Sequence, residues 1–199
     1  MGKIGYYLVT AAESVLSAVG IRATYEQPRY AVVRRLPGGV EIRDYAPRAV
    51  VETAADGPGD AEAFRRLFRY ITGANRAARL IAMTVPVEQT GRLIAMTAPV
   101  EAGAGVMRFV LPRRVAEAGA PVPTDPLVRI ALVPAQRLAA LRFSGRPTPA
   151  ARRAREAELL GALAQAGLAP AGAVAFLGYD PPVTVPFLRR NEVVVAVAE

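Results

Sequence analysis

Any chemistry this 199-residue chain performs is done without histidine, cysteine or tryptophan. That removes the usual zinc sites and the Cys-His and Ser-His nucleophile pairs. It also removes any C-x-x-C-H sequence for a covalently held cofactor. Disulfides are impossible, so cysteine usage says nothing of redox compartment. Of 25 basic residues only Lys3 is lysine, which excludes a phosphate-loop lysine and a Schiff-base lysine within the fold. The three serines, Ser14, Ser17 and Ser144, lie in no nucleophile-elbow pattern. Glu41, Asp44, Glu52 and Asp180 are not spaced as an acid-base pair in sequence, although folding can still bring carboxylates together. The residue types therefore point to a binding protein and not to an enzyme.

The charge is +8, with a pI near 10.5. Arginine is scattered from Arg22 to Arg190, in short pairs at 34–35, 65–66, 113–114, 152–153 and 189–190. A nucleic-acid partner would call for a stripe, so none is expected. The arginine excess accompanies abundant Ala, Gly and Pro, as a GC-rich coding bias would produce, and most of it reads as solvated surface.

The elements follow from periodicity and punctuation. Residues 1–27 read as an N-terminal amphipathic helix and linker, with Leu8, Ala12, Val15 and Val19 on one face. The segment 1–22 is too short in apolar residues to span a bilayer. It can dock on the protein, touch a membrane surface or act as a signal, although Glu13 splits the run and no clean A-x-A site follows. A cytoplasmic location, with membrane contact through residues 1–22, is the expectation. Tyr30–Arg35 and Val40–Tyr45 flank Pro37-Gly38-Gly39 as a hairpin, and Arg48–Thr53 is a third strand. Asp60 caps a helix running to about Thr72, stopped by Gly73. Phe64, Leu67, Phe68 and Ile71 form its apolar stripe, with Arg65, Arg66 and Arg69 beside it.

Residues 79–88 (RLIAMTVPVE) recur at 92–101 (RLIAMTAPVE), and the short link predicts that the copies pair as antiparallel strands. Val106–Leu111 is a further strand, and Arg113–Asp125 a proline-rich loop. The second half echoes the first at an offset of 88 residues: Leu138–Leu141 falls on Val50–Thr53 and Gly145 on Gly57. Thr148 and Pro149 open a second helix with Leu159, Leu160 and Leu163 as its stripe. One domain, 28–199, with halves of roughly 28–112 and 126–199 related by a pseudo-two-fold, follows from that echo.

The twofold IAMTxPV pattern, the FRRLFRYITGAN helix and the closing GYDPPxxxPFLRRNEV together resemble the SOUL/haem-binding protein family, over roughly Tyr30 to Val197. The resemblance implies an α+β fold: a distorted antiparallel β-barrel with two flanking helices, built from two β-β-α-β-type halves. It also implies non-covalent binding of haem or another tetrapyrrole in an apolar pocket between the first helix and a late strand-loop. Carried over by motif, the pocket residues are Phe64, Arg65, Leu67, Phe68, Arg69, Tyr70 and Ile71, with Val183, Val185, Phe187, Leu188 and Arg189. A porphyrin is a flat apolar disc with two carboxylates. Phe64 and Phe68, one turn apart, suit the disc, and Arg65, Arg69 and Arg189 suit the propionates through their planar forks.

The helix stripe is equally the core face of an ordinary amphipathic helix, and the arginines its solvated side. Tyr70 and Tyr179 are the residues able in principle to ligate iron as phenolates, helped by nearby arginine; Met83 and Met96 fit the sheet core better. Arg190 and Glu192 read as an ion pair holding the terminal segment or, alternatively, as ligand contacts. Without histidine, affinity must come from apolar burial and Arg-propionate contacts, which favours a carrier, buffer or scavenger. An effector-binding module for another apolar or cationic small molecule is the alternative.

Overall fold

The computed structural model describes residues 26–55, 60–77, 81, 87–90, 105–180 and 183–198. The N-terminal segment 1–22, Met83, Met96 and the whole second copy of the repeat lie outside the described residues.

The predicted hairpin forms. Strands β1 (Tyr30–Arg35) and β2 (Val40–Tyr45) pair antiparallel. The turn Pro37–Gly39 places Gly38 and Gly39 at φ 75° and 77°, where an L side chain would be strained. Strand β3 (Arg48–Ala55) leads to helix α1 (Ala61–Ile71), whose Asp60 carboxylate accepts the Glu62 and Ala63 amides at 2.8 and 3.0 Å. Strands β4 (Val87–Thr90) and β5 (Gly105–Val110) follow. Next comes a one-turn helix, α2 (Arg113–Glu117), where the sequence reading had only a loop. Five residues are too few to show a 3.6-residue period, and only Val115 is buried. The chain continues through β6 (Arg129–Val133), β7 (Gln136–Phe143), α3 (Pro149–Gln165), β8 (Ala175–Gly178) and β9 (Asn191–Ala196).

The nine strands among the described residues join one antiparallel sheet, ordered β1-β2-β7-β9-β8-β4-β5-β3-β6. That order forces a roll. Strands β2 and β3 stand six places apart, roughly 29 Å in a flat sheet, yet only Ala46 and Pro47 separate them, a reach of about 11 Å from Tyr45 to Arg48. Strands β6 and β7, also six places apart, are joined by Pro134 and Ala135 alone. The sheet therefore curls on itself. No ladder joins β1 to β6 among the described residues, so the pairing leaves a seam where the expected barrel would close. Both edges of β4 are taken, by β5 and β8. The tail of the first repeat copy and Gln89-Thr90 of the expected link thus pair with these strands and not with 92–101, a correction to the expected hairpin; the rest of both copies lies outside the described residues.

The 88-residue echo has a geometric counterpart. Strands β3 and β7 have equal length, begin 88 residues apart and bury the same positions in order. Helices α1 and α3 also begin 88 residues apart. The ladders cross between the halves: Val40 pairs with Leu141 and Arg48 with Val133.

Helices α1 and α3 each cover the convex face of one half. Helix α1 packs Ala63, Leu67, Tyr70 and Ile71 on Val51, Met107 and Phe109. Helix α3 packs Leu159 and Leu163 on Leu141, Phe176 and Val193. Two stripes differ from expectation. On α1 the buried face is 63, 67, 70, 71, so Phe64 and Phe68 flank it, and on α3 Leu160 is partly exposed. The small Ala63 lets the α1 backbone approach the sheet, which turns the two phenylalanines to the edge of the contact.

Candidate functional site

The convex surface carries the residues that the motif singled out, and it divides them. Leu67, Tyr70 and Ile71 are core residues, 2% exposed or less. Tyr70 donates its hydroxyl to the Pro121 carbonyl at 2.9 Å, and burial pushes the phenol up to about 12. It is therefore placed as a structural anchor and not as an iron ligand. Phe64 and Phe68 remain 36% and 38% exposed. Their rings stack at 6.0 Å and 13°, and Phe64 meets Phe109 edge-on at 5.3 Å. Beside them Arg65 pairs with Glu62 at 2.9 Å, and Arg69 reaches Glu62 at 3.5 Å and Asp125 at 3.9 Å. These are surface pairs of small net worth. The arginines hold Glu62 below the usual carboxylate range, by hydrogen bonding from Arg65 first.

The late loop presents a second apolar surface. Val183 and Phe187 are 71% and 74% exposed, and Val185 and Leu188 are half-exposed. The loop is held from behind. The Gly145 amide donates to the Pro186 carbonyl, Asn191 Nδ2 to the Gly145 carbonyl, and Arg189 Nε to the Thr184 carbonyl. Arg189 is thus engaged in shaping the loop that it belongs to. At the loop's start the Asp180 carboxylate accepts the Arg190 amide at 2.6 Å, closing the turn. Loop and helix meet the sheet at one end: Gly178 pairs with Val87, Val87 with Phe109, and Phe109 touches Phe64. Two ladder steps, roughly 10 Å, separate the strand that leads into the loop from the one beneath Phe64.

The concave face holds what sequence reasoning missed. Glu192 is 0% exposed. Its carboxylate accepts from Arg43 (2.8 and 3.3 Å), from Arg190 (2.8 and 3.0 Å) and from the Tyr179 hydroxyl (2.9 Å). Arg43 also bonds Glu41 and the Tyr45 hydroxyl. Guanidinium groups lie over the rings of Tyr30, Tyr45 and Tyr179. On the other wing, Arg108 links Glu52 to Glu88, Arg129 bonds Glu52, and Arg48 approaches Glu88 at 3.6 Å. Burial alone would raise Glu192, but the hydrogen bonds and charge of Arg43 and Arg190 outweigh it, leaving the carboxyl below its usual range.

The expected Arg190–Glu192 ion pair is therefore present within a larger network. Arg43, Arg48, Arg108 and Arg190 are not solvated surface, because strand alternation points them into the roll. Tyr179 also departs from expectation: burial and the Glu192 charge push its phenol well above 10, outweighing Arg190, the reverse of what iron ligation would use. The signal was present as period two, since Glu41, Arg43 and Tyr45 alternate, as do Arg190 and Glu192.

Among the described residues no cluster of acidic side chains could hold a metal ion, and no helix is long and apolar enough to cross a membrane. The fold is shared with solved structures. The EcmrR C-terminal domain is similar at 12% identity with a TM-score of 0.56, covering 80% of this chain and 97% of that one. An uncharacterized conserved protein from Listeria innocua is similar at 11% identity and TM-score 0.55, and a hydrolase from Listeria innocua at 12% and 0.52; each likeness covers 88% of this chain and 94% of that one. At such identities the likeness establishes the fold alone. No curated protein matches in sequence. The sequence profile of the SOUL heme-binding protein family matches residues 25–196. That match, over most of the chain, shows that the chain belongs to the SOUL heme-binding protein family.

Proposed function

We propose that the protein binds a tetrapyrrole reversibly and non-covalently, as a carrier, buffer or scavenger, on its convex surface between Phe64/Phe68 and the 183–189 loop. The observation that carries this reading is the pairing of two exposed apolar surfaces, a stacked Phe pair and the Val183/Phe187 loop, at one end of the sheet. These residues fit a porphyrin face, and burial of aromatic surface supplies affinity without an iron–protein bond. Arg65 and Arg69 can exchange their surface partner Glu62 for propionates at small cost. Leu67, Tyr70 and Ile71 support the site from beneath. The two halves, repeating at 88 residues and rolled about a shared sheet, are read as a duplicated unit forming a barrel-like body.

The concave interior is a poorer place for a cationic effector. Its deepest carboxylate, Glu192, already has two guanidinium partners, so a cation would have to displace them. Titration of the purified protein with hemin, followed in the Soret band, tests the reading. Saturable binding is expected at roughly ten micromolar protein or below. Absence of a saturable change would remove it.

A further inference from the structure

A cleft lies away from the Phe64/Phe68 surface, at the seam of the roll. It is half-open, with a volume of about 440 Å³, within the roughly 300–1,000 Å³ of small-molecule pockets. Four parts of the chain meet there: the lead-in to β1 (Glu26–Arg29), the β2–β3 link (Ala46, Pro47), the start of α2 and the exposed edge of β6. The floor is apolar, made of Ala49, Leu111 and Leu132 with Ala116 above them. Leu132 is 73% exposed on an edge strand, a large apolar side chain that an occupant would cover.

The polar groups around this floor have an excess of one sign. The two acidic residues are both committed to Arg113. The Glu26 carboxylate accepts the Arg113 amide at 2.9 Å, and Glu117 takes its guanidinium at 2.6 Å. Of the other two arginines, Arg48 belongs to the interior network and Arg29 is left. Arg29 is exposed and makes no ion pair among the described residues. Arg48 is 9% exposed at the inner wall, over the Tyr45 ring at 5.3 Å, with Glu88 no nearer than 3.6 Å. Gln136, in the amide orientation that satisfies both partners, accepts from Arg48 at 2.8 and 3.2 Å. An apolar floor with the exposed Arg29 guanidinium beside it is complementary to an amphipathic anion.

We infer that this seam cavity is a binding site for a monocarboxylic acid with an apolar body, held by Arg29 and lying on Leu132 and Leu111. Dodecanoate below its micellar concentration is the probe and 1-dodecanol its neutral counterpart, with affinity read by isothermal titration calorimetry and thermal shift. The expected result is saturable dodecanoate binding, with dodecanol at least tenfold weaker. Arg29→Ala should weaken dodecanoate by about tenfold, the size of one charge-assisted hydrogen bond. Leu132→Glu should abolish binding, and both variants should titrate hemin as the unaltered protein does. Both side chains are exposed, so circular dichroism should be unchanged. Equal affinity for the alcohol would overturn the carboxylate assignment. Unchanged dodecanoate affinity in both variants, or no binding to the unaltered protein, would overturn the site.

Discussion

Replacing Glu192 by glutamine removes one negative charge from a place where two guanidinium groups meet it. Arg43 is 4% exposed, Arg190 12% and Glu192 not at all, so neither arginine can turn to water without opening the sheet. Breaking a buried pair by deleting one partner costs about 3–5 kcal/mol, because the remaining charge stays desolvated. Here Arg190 is left without a carboxylate among the described residues, while Arg43 keeps Glu41 at 2.9 Å and the Tyr179 hydroxyl keeps an acceptor in the amide, which places the loss within that range. For a domain of this length it is a fall in Tm of roughly 6–20 °C.

Urea unfolding followed by circular dichroism measures the loss, and the triple variant Arg43→Met, Arg190→Met, Glu192→Leu provides the control. With no fully buried charge left behind, and Glu41 keeping Arg35 at 3.3 Å, its stability should recover most of what the single variant loses. The pH dependence gives a second reading. The Glu192 carboxyl is depressed in the folded state, so its contribution is present above the unfolded value near 4.5 and lost as pH falls below it. E192Q should therefore flatten the acid limb of the stability curve. A single-variant loss under about 1 kcal/mol, with an unchanged acid limb, would refute the reasoning, since that is the behaviour of an exposed pair.

The remaining expectations are simpler. Phe68→Asp should weaken hemin by roughly tenfold or more, as half a Phe side chain of burial is forfeited, while the circular dichroism spectrum stays native; a Soret titration decides. Tyr70→Phe should cost about 1 kcal/mol at pH 7 by stranding the Pro121 carbonyl, read by urea unfolding. Because Tyr70 is pushed up to about 12 in the folded state, its contribution is complete below pH 10 and lost as pH rises from 10 to 12; the gap between variant and unaltered protein should narrow over that interval. Asp60→Ala should cost about 1 kcal/mol through the two amides it leaves uncapped, read as a lower midpoint in urea.

What the sequence discloses is what neighbours in the chain decide. Asp60, Thr148, Gly38 and Gly39 act on amides or dihedrals within three residues, and each was legible as a cap or a turn. The 88-residue echo was legible because both halves place an eight-residue strand and the start of a helix at the same offset. The interior network was not, since Glu52 meets Arg108 and Arg129 only when β3, β5 and β6 take up their register. The arginines drew attention as a total, while what matters is strand parity. The α1 stripe was displaced because spacing alone cannot separate a face centred on Leu67 and Tyr70 from one centred on Leu67 and Phe68. Ala63 decides it by allowing close approach, and that displacement is what leaves two phenylalanines exposed.

The two-residue links Ala46-Pro47 and Pro134-Ala135 have a consequence for how the molecule comes into being. Strand β2 finds its ladder partner β7 about a hundred residues downstream, and β3 takes its outer neighbour β6 from the other half. Neither half can finish its own sheet, so a chain ending after β5 would expose an unpaired flank of β2 and of β3. Folding must wait for synthesis to pass β7, and the many distant pairings predict slow collapse to the native state. A single half could complete the same ladders only by exchanging strands with a second copy of itself.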